Sequence, residues 1–301
     1  MSITAKPARD RLDPSEREQV TGLAERCAQS DGVSPLNESA RLSLGADPGR
    51  HVHWLVSEDD RLLGYAQWDA REQTVQLMAD PQRRREGIGT SLARSVQTSG
   101  RTTAQASWWA FGDLPGARAL AVRLGLHPVR SLLMMRLPMP DEGAHDAPLP
   151  SGLALDHYRD DDLDRLVAVN HAAFADHPEQ GAMSADDARL RMSQEWFDPA
   201  GLLVARETSG RLVGFHWTKL ETHEGVPRGE VYVIGVDPAH EHRGIGRALL
   251  DAGIVQMRAR GVDAIDLYVE ASHPRVVDMY RKAGFAVVST DTAYANQELN
   301  R

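Results

Sequence analysis

One short pattern occurs twice in this chain, at a constant offset of about 157 residues. The first copy is DPQRRREGIGTSLA, from Asp80 to Ala93, and the second is DPAHEHRGIGRALL, from Asp237 to Leu250. Both read Asp-Pro, five variable residues, Gly-Ile-Gly, two further residues and Leu. A pattern that repeats at a fixed spacing indicates internal duplication. We therefore expect two copies of one kind of domain.

The stretches around each copy have the same order of predicted elements. Hydrophobic periodicity indicates an amphipathic helix near the start of each copy, followed by a strand–turn–strand hairpin. A third strand leads into the glycine turn, and a helix, a strand, a helix and a last strand follow it. The proline-rich segment PMPDEGAHDAPLPSG between the copies is typical of a linker. These features predict two α/β domains, at residues 1–140 and 152–301, with a linker at 141–151.

Composition and charge exclude several classes of function. The apolar content of 42% and charged content of 26% are typical of a soluble globular protein. No apolar run approaches the ~20 residues that span a bilayer, and the N-terminus lacks the apolar segment of a secretory signal. The net charge of −9 argues against nucleic-acid binding, and Cys27 has no partner for an intramolecular disulfide. We expect a cytoplasmic monomer with no nucleic-acid, membrane or metal partner.

The repeated turn has the chemistry of a phosphate site. A glycine turn that opens a helix leaves backbone N–H groups at the positive end of the helix dipole. Glycine also lets a ligand approach the backbone closely. The pair Gly-x-Gly is weak evidence alone, because tight packing turns use it too. Leu92 and Leu249 replace the third glycine of the dinucleotide fingerprint, and no Gly-Lys-Ser/Thr sequence is present, so dinucleotide and ATP sites are excluded.

The first turn, Arg84-x-x-Gly87-x-Gly89, is similar to the acetyl-CoA signature of the GCN5-related N-acetyltransferase (GNAT) superfamily. The later stretch LYVEASHPRVVDMYRKAGF also resembles that family, and its element order occurs twice, over the whole chain. The resemblance implies an acetyl-CoA-dependent N-acetyltransferase of the α/β (α+β) class. It further implies two tandem GNAT (acyl-CoA N-acyltransferase) domains, each with a mixed, mostly antiparallel sheet flanked by helices.

Acetyl transfer to an amine needs a base that takes a proton from the ammonium, and an acid helps by protonating the departing thiolate. In GNAT enzymes the base often lies on the strand before the turn, and the acid is often a Tyr before the final Gly-Phe. The resemblance assigns these roles to Glu230 and Tyr280. Strand alternation predicts that Glu230, Tyr232 and Ile234 lie on one face.

The first copy lacks both proton-transfer groups. The constant offset places Gln73 opposite Glu230, and counting four residues back from Gly125 places Ala121 opposite Tyr280. The phosphate turn itself is kept. We therefore expect the N-terminal domain to bind CoA or to serve as a scaffold, and the C-terminal domain to be catalytic.

Several further stretches lie outside the acetyl-CoA motifs: DGVSPLNE, NHAAFADHPEQG, EWFDPAGLL, GFHWTKL, GEVYVIGVDP and STDTAYA. They resemble the mycothiol synthase family, tandem GNAT enzymes that acetylate the cysteinyl amine of Cys-GlcN-inositol in the last step of mycothiol biosynthesis. In that family the acceptor is held by side chains from both halves. The matching residues here are Glu38, Glu179, Lys219, Glu230 and Tyr268. Each of three residues also has a structural interpretation that is equally good: Glu38 at an exposed helix start, Glu179 in a turn and Lys219 at a strand edge.

The same resemblance implies two sets of acetyl-CoA contacts. In the second domain they are Ile234, Gly235, Val236, Glu241, His242, Arg243, Gly244, Ile245, Gly246, Arg247, His273, Pro274, Arg275, Val276, Val277 and Asp278. In the first domain they are Leu77, Met78, Ala79, Arg85, Glu86, Gly87, Ile88, Gly89 and Thr90.

Some positions depart from the GNAT pattern. Glu241 occupies the Arg/Gln position of the second turn, and Ser272-His273 replaces the usual Asp-Asn pair. Glu86 lies among the arginines of the first turn. Two other hypotheses stay open: a GNAT enzyme for another small amine or a peptide N-terminus, and a non-catalytic acyl-CoA-binding module.

Overall fold

The computed structural model describes residues 8–45, 49–103, 105–139, 148–175, 180–223 and 225–296. The first sequence copy forms α1 (Pro14–Asp31), α2 (Glu38–Leu42), β1 (His51–Glu58), β2 (Arg61–Asp69), β3 (Thr74–Ala79), α3 (Ile88–Thr98), β4 (Ser107–Ala110), α4 (Pro115–Arg123) and β5 (His127–Pro138). The second forms β6 (Leu153–His157), α5 (Leu163–Ala173), α6 (Ala185–Met192), β7 (Leu202–Glu207), β8 (Leu212–His223), β9 (Val226–Val236), α7 (Ile245–Ala259), β10 (Ala264–Glu270), α8 (Pro274–Lys282) and β11 (Ala286–Ala295). The predicted element order is therefore present twice.

The chain forms two compact units that differ from the predicted contiguous domains. Of the described residues, unit 1 comprises those within Met1–Leu132, Glu270–Ser272 and Ser289–Arg301, and unit 2 comprises those within Leu133–Val269 and His273–Val288. The chain passes from unit 1 to unit 2 within β5, contributes residues 270–272 to unit 1, and returns to unit 1 within β11. The predicted linker lies largely outside the described residues, since 140–147 are not among them.

The sheet of unit 1 has the strand order β1-β2-β3-β4-β11. The pairs β1–β2, β2–β3 and β4–β11 are antiparallel, while β3 and β4 are parallel. One face packs against α3 through residues such as Trp68 and Val96, and the other packs against α1 through Leu23 and Tyr65. A helix layer thus covers each face of the sheet.

Unit 2 repeats this arrangement, with the strand order β5-β10-β9-β8-β7-β6. The pair β9–β10 is parallel, and β6–β7, β7–β8 and β8–β9 are antiparallel. Leu166 of α5 and Phe215 of β8 belong to the core on one face. Ile254 of α7 and Leu267 of β10 belong to the core on the other face.

The C-terminal strand completes the sheet of unit 1. Thr292 pairs with Ala110 and Tyr294 pairs with Trp108, so β11 supplies the strand beside β4. A contiguous boundary cannot describe this arrangement, because the strand that closes the first sheet lies at the far end of the chain. In the part of the chain that the structure describes, no helix is both long and apolar enough to cross a membrane.

Candidate active site

The parallel strands β9 and β10 diverge in the middle of unit 2. Their pairing covers Arg228–Val231 and Ala264–Leu267, whereas β9 continues to Val236 and β10 to Glu270. Beyond Val231 the described pairing of β9 is with β8 alone. The diverging strands leave an edge of β9, including Ile234, Gly235 and Val236, to which an extended amide-bearing arm can add.

A β-bulge in β9 lies at the start of this divergence. Trp217 of β8 pairs with Val233, but the next residue, Thr218, pairs with Val231, so Tyr232 is an additional residue on β9. Tyr232 and Val233 therefore both pack with the α5 and α6 side, while Ile234 packs with α7. The prediction that Ile234 shares a face with Glu230 and Tyr232 is wrong, because the bulge reverses the alternation.

The bulge also changes which residue of the first copy corresponds to Glu230. The strands β2 and β3 pair without a register shift. Glu230 pairs with Asp266 of β10, and the matching pair in unit 1 is Thr74 with Ser107 of β4. Gln73 lies in the turn before β3 with φ 55°. Equating Gln73 with Glu230 was wrong by one residue, yet the first copy still has no carboxylate at this position.

Glu230 is half-buried on β9, directly opposite Lys219 of β8. Lys219 is only 4% exposed, and its Nζ lies 3.2 Å from the Glu221 carboxylate. The Nζ is also 4.9 Å from the ring centroid of Trp196 and 5.6 Å from that of Tyr232. A carboxylate and an ammonium thus share one face of the sheet beside aromatic rings.

The corresponding face of unit 1 contains an internal polar network instead. Asp69 pairs with Thr74 and so occupies the position of Lys219. Arg50 donates to Asp69 from Nε, at 3.1 Å to each oxygen, and from Nη2, at 2.8 Å. The His51 ring lies 3.1 Å from the same carboxylate. Gln67 donates to Ser43 at 3.1 Å. Hydrogen bonds among the side chains of unit 1 therefore occupy this face.

Tyr280 lies on α8, is 5% exposed and contacts Phe285 edge to face at 5.8 Å. Burial raises the pKa of its phenol well above the ordinary value, so the hydroxyl keeps its proton near neutral pH. The prediction that Ala121 corresponds to Tyr280 agrees with the backbone. Phe285 N donates to Tyr280 O at 3.1 Å, and Leu126 N donates to Ala121 O at 3.0 Å.

The two glycine turns have the same backbone conformation. In the second turn His242 has φ 60° and Gly244 has φ 84°, and in the first Arg85 has φ 68° and Gly87 has φ 91°. Each helix that follows begins without a side-chain cap. The first-turn N–H groups of α3 and α7 therefore face the turn without a capping side chain, the arrangement that a pyrophosphate requires.

A buried aspartate anchors the start of the second turn. Asp237 accepts hydrogen bonds from the backbone N–H of Ala239, at 3.1 Å, and from Arg165 of α5. Arg211, in the β7–β8 hairpin, donates to the same carboxylate at 3.3 Å. Burial alone would raise the pKa of Asp237, but Ala239 and Arg165 hold it below its ordinary value. The turn is thus tied to a helix and to a hairpin.

The first turn repeats this anchor with different residues. Asp80 accepts from Gln82 N at 3.1 Å, from Arg26 of α1 at 3.2 Å and from Arg61 of the hairpin at 2.9 Å. The positions of Arg26 and Arg61 in the sequence do not indicate that they bond Asp80. Only the repeated Asp-Pro dipeptide pointed to this anchor.

The side chains of the two turns differ in charge. Glu241, His242 and Arg243 are exposed, while Arg247 donates to Asp251 at 2.8 Å. In the first turn Arg83 bonds Glu58 and Glu86, and Arg84 bonds Asp31. Both backbones fit a diphosphate, and neither set of side chains blocks the turn with a cap.

The remaining predicted residues lie in several places. His273, Pro274, Arg275, Val276 and Asp278 are exposed at the start of α8, whereas Val277 is buried. Tyr268 is 48% exposed on β10, one residue beyond the last pair with β9. Glu38 is the first residue of α2 in unit 1, after the cap Asn37. Glu179 lies outside the described residues. Across the ranges given above, no three His, Cys, Asp or Glu side chains form a cluster that could hold a metal.

Comparison with known proteins agrees with this geometry. Residues 166–285 match the acetyltransferase (GNAT) family model. The chain is 60% identical, over 95% of its length, to a mycothiol acetyltransferase of Propionibacterium freudenreichii, covering 90% of that protein. It is 42% identical to one of Nocardia farcinica, covering 95% of each.

Solved structures support the fold. A tandem GNAT protein from the clavulanic acid biosynthesis pathway has a TM-score of 0.69 at 18% identity, covering 97% of this chain and 98% of that one. A GCN5-related N-acetyltransferase from Sphaerobacter thermophilus has a TM-score of 0.66 at 24% identity, covering 95% and 94%. The 60% and 42% identity to the two mycothiol acetyltransferases, each over 95% of this chain, shows that the chain belongs to the mycothiol acetyltransferase family.

Proposed function

We propose that this chain moves the acetyl group of acetyl-CoA to the cysteinyl amine of Cys-GlcN-inositol, the last step of mycothiol biosynthesis, and that unit 2 performs the reaction. One observation carries the assignment to unit 2. The strand divergence, the uncapped turn, a half-buried carboxylate at Glu230 and a buried phenol at Tyr280 occur together in that unit. The matching positions in unit 1 are Thr74 and Ala121, which cannot transfer protons in this way.

Bound acetyl-CoA supplies the acetyl group as a thioester. Glu230 takes a proton from the acceptor ammonium, so that the amine nitrogen can form the new bond to the acetyl carbon. The carbon–sulfur bond breaks, and Tyr280 donates its proton to the departing sulfur. The nitrogen, now bonded to the acetyl carbon, loses its second proton, which restores the phenol of Tyr280, and Glu230 releases the first proton to solvent. The raised pKa of Tyr280 suits this role, because the phenol arrives protonated.

Unit 2 would hold the donor in three places. The edge of β9 at residues 234–236 would pair with the pantetheine arm. The turn at residues 241–247 and the start of α7 would bind the pyrophosphate, and residues 273–278 would contact the CoA from α8. The equivalent residues 77–79 and 85–90 of unit 1 have the same backbone and are proposed as a second CoA-binding surface.

The acceptor would lie against the face that carries Lys219 and Glu230. Lys219 can donate to a hydroxyl or amide oxygen, and Glu230 can bind the cysteinyl ammonium before it takes the proton. Tyr268 extends the same opening from β10. Glu38 and Glu179 stay predictions that rest on the family resemblance.

The test is turnover with defined amines. Purified chain, acetyl-CoA and Cys-GlcN-inositol should give a singly acetylated product by mass spectrometry. Alkylation of that product with iodoacetamide shows that its thiol is free, which separates N- from S-acetylation. Glu230→Gln should lower kcat by about 10²- to 10⁴-fold, and Tyr280→Phe by a smaller factor, since each removes one proton-transfer group.

The exposed Glu195→Gln variant serves as the control and should keep full activity. Acetylation of a peptide N-terminus in preference to the cysteinyl glucosamine would favour another GNAT substrate. Binding of acetyl-CoA without turnover on any amine would favour a non-catalytic module. Full activity in both variants would remove Glu230 and Tyr280 from the reaction.

A further inference from the structure

The bulged residue Tyr232 has no part in the proposed proton transfers, yet it lies among the side chains beside Glu230. Its ring centroid lies 4.9 Å from that of Trp196 and 5.5 Å from that of Trp217, both rings tilted relative to it. We call Trp196, Trp217 and Tyr232 the aromatic box. Because the bulge adds one residue to β9, Tyr232 reaches this box while Val233 still fills the core behind it.

Arg191 of α6 fixes the phenol of Tyr232. Its Nε donates a hydrogen bond to the Tyr232 hydroxyl at 2.9 Å. Its Nη1 donates to the carbonyl oxygen of Asp187, one helical turn earlier, at 3.0 Å. The guanidinium is therefore held by its own helix and bonds the phenol from a defined position.

Two rings of the aromatic box lie beside the Lys219 ammonium, which also pairs with the Glu221 carboxylate at 3.2 Å. The Nζ of Lys219 lies within cation–π distance of Trp196 and Tyr232, at 4.9 and 5.6 Å. A lysine side chain has large rotational freedom, so two rings that confine its ammonium lower the entropy lost when it binds a ligand. Lys219 lies opposite Glu230 in the register of β8 and β9.

The box is absent from the matching positions of unit 1. There β2 and β3 pair without a bulge, Gln67 takes the place of Trp217 and Asp69 takes the place of Lys219. The arrangement thus accompanies Glu230 and is not needed for the sheet itself, which forms in both units.

We propose that Arg191 and Tyr232 are positioning residues for the acceptor. Arg191 holds Tyr232, and Tyr232 with Trp196 holds the Lys219 ammonium where it donates to a hydroxyl or amide oxygen of the bound amine. The inference rests on the proposed function, since it requires an acceptor against Lys219.

The test measures steady-state kinetics of the full chain with Cys-GlcN-inositol. Tyr232→Phe keeps the ring and removes the bond to Arg191, and Arg191→Met removes the donor. Each should raise KM for the acceptor about 3- to 10-fold, as expected for a lost hydrogen bond. The kcat and the KM for acetyl-CoA should stay within about twofold, because neither residue takes part in the proposed proton transfers or in the proposed CoA contacts. Arg189→Gln, an exposed change on the same helix, is the matched control.

A double-mutant cycle separates a positioning pair from two unrelated structural effects. If Arg191 acts through Tyr232, the double variant should be no worse than either single variant. Arg191→Lys, which keeps a donor, should restore part of the affinity and carries the test if Arg191→Met fails to fold. Three outcomes would each overturn the inference. They are an unchanged KM for the acceptor, a double variant whose fold-change equals the product of the two single fold-changes, and a change confined to the KM for acetyl-CoA. If the wild-type chain did not acetylate Cys-GlcN-inositol, the proposed function would be wrong together with this inference. The outcomes above overturn the inference alone, so the two failures are distinguishable.

Discussion

Each unit contains a buried histidine that the fold keeps neutral. His216 of unit 2 is 0% exposed, and its Nδ1 lies 2.8 Å from Leu249 O. Gly253 of α7 packs against the ring so closely that an added Cβ would lie 2.1 Å from it. Burial lowers the pKa of His216 to about 4. In unit 1, burial and then the nearby His51 lower the pKa of His53 to about 4.

These two histidines predict a loss of stability in mild acid. The unfolded chain binds protons at a pKa of about 6.5, while the folded chain resists them until about 4. The stability they contribute is fully present above pH 6.5 and is lost as the pH falls towards 4. At pH 5 each should cost about 2 kcal/mol of unfolding free energy. Urea unfolding at pH 7.5 and pH 5, followed by tryptophan fluorescence, measures this change.

A variant assigns the effect to one histidine. His216→Asn is expected to be less stable at pH 7.5 but to lose less on acidification, because position 216 no longer titrates. An equal loss in the variant and the wild type would show that other groups cause the acid sensitivity.

At the scale of elements, sequence periodicity predicts the strands and helices, but it does not predict the one extra residue, Tyr232, that forms the bulge in β9. A constant offset assumes equal strand lengths, and the bulge at Tyr232 breaks that assumption upstream of it. Glu230 was still found, because the family resemblance points to it directly. The constant offset nevertheless placed the counterpart of Glu230 at Gln73 and not at Thr74, because it ignores the bulge at Tyr232. A bulge depends on pairing between strands, which a single strand's sequence does not contain.

The anchored turns allow a prediction with an internal control. Asp237→Asn keeps an oxygen for Ala239 N but removes the charge that Arg165 and Arg211 bond. The second turn should loosen, and KM for acetyl-CoA should rise about 5- to 10-fold, in line with losing a charge-assisted bond. Asp80→Asn makes the same change in unit 1. Asp80→Asn should leave kcat and both KM values nearly unchanged. It should lower the melting temperature about as much as Asp237→Asn does, because each variant removes the same kind of anchor.

Steady-state kinetics and thermal unfolding of both variants show whether each anchor affects acetyl-CoA binding or only stability. If Asp80→Asn raised KM for acetyl-CoA as much as Asp237→Asn does, the first turn would take part in turnover. A melting-temperature loss in Asp237→Asn with unchanged KM would limit the anchor to stability.

At the scale of the whole molecule, the repeated motif correctly predicts the duplication, and the family resemblance correctly predicts the GNAT fold. Relatives that match over 95% of the chain confirm the family. The unit boundaries were not foreseen. Sequence periodicity identifies β5 and β11 as strands, but it does not say which sheet each joins. Their assignment depends on contacts between distant residues, such as Arg136 of β5 with Asp266, 130 positions apart, and Asp291 of β11 with Gly112, 179 positions apart.

The last strand should therefore hold unit 1 together. Asp291 is buried and accepts a hydrogen bond from Gly112 N at 2.7 Å, just after β4. Asp291→Ala would leave that N–H without its acceptor, at a cost of about 1–3 kcal/mol. Hydrogen exchange should then speed up in peptides covering Trp108–Ala110 but not in peptides covering β10. Asp291→Asn keeps an acceptor oxygen and should change exchange little, and Val288→Thr, exposed on the unit 2 part of β11, should change neither. Equal loss of protection in both units would mean that the strand does not stabilise unit 1 selectively.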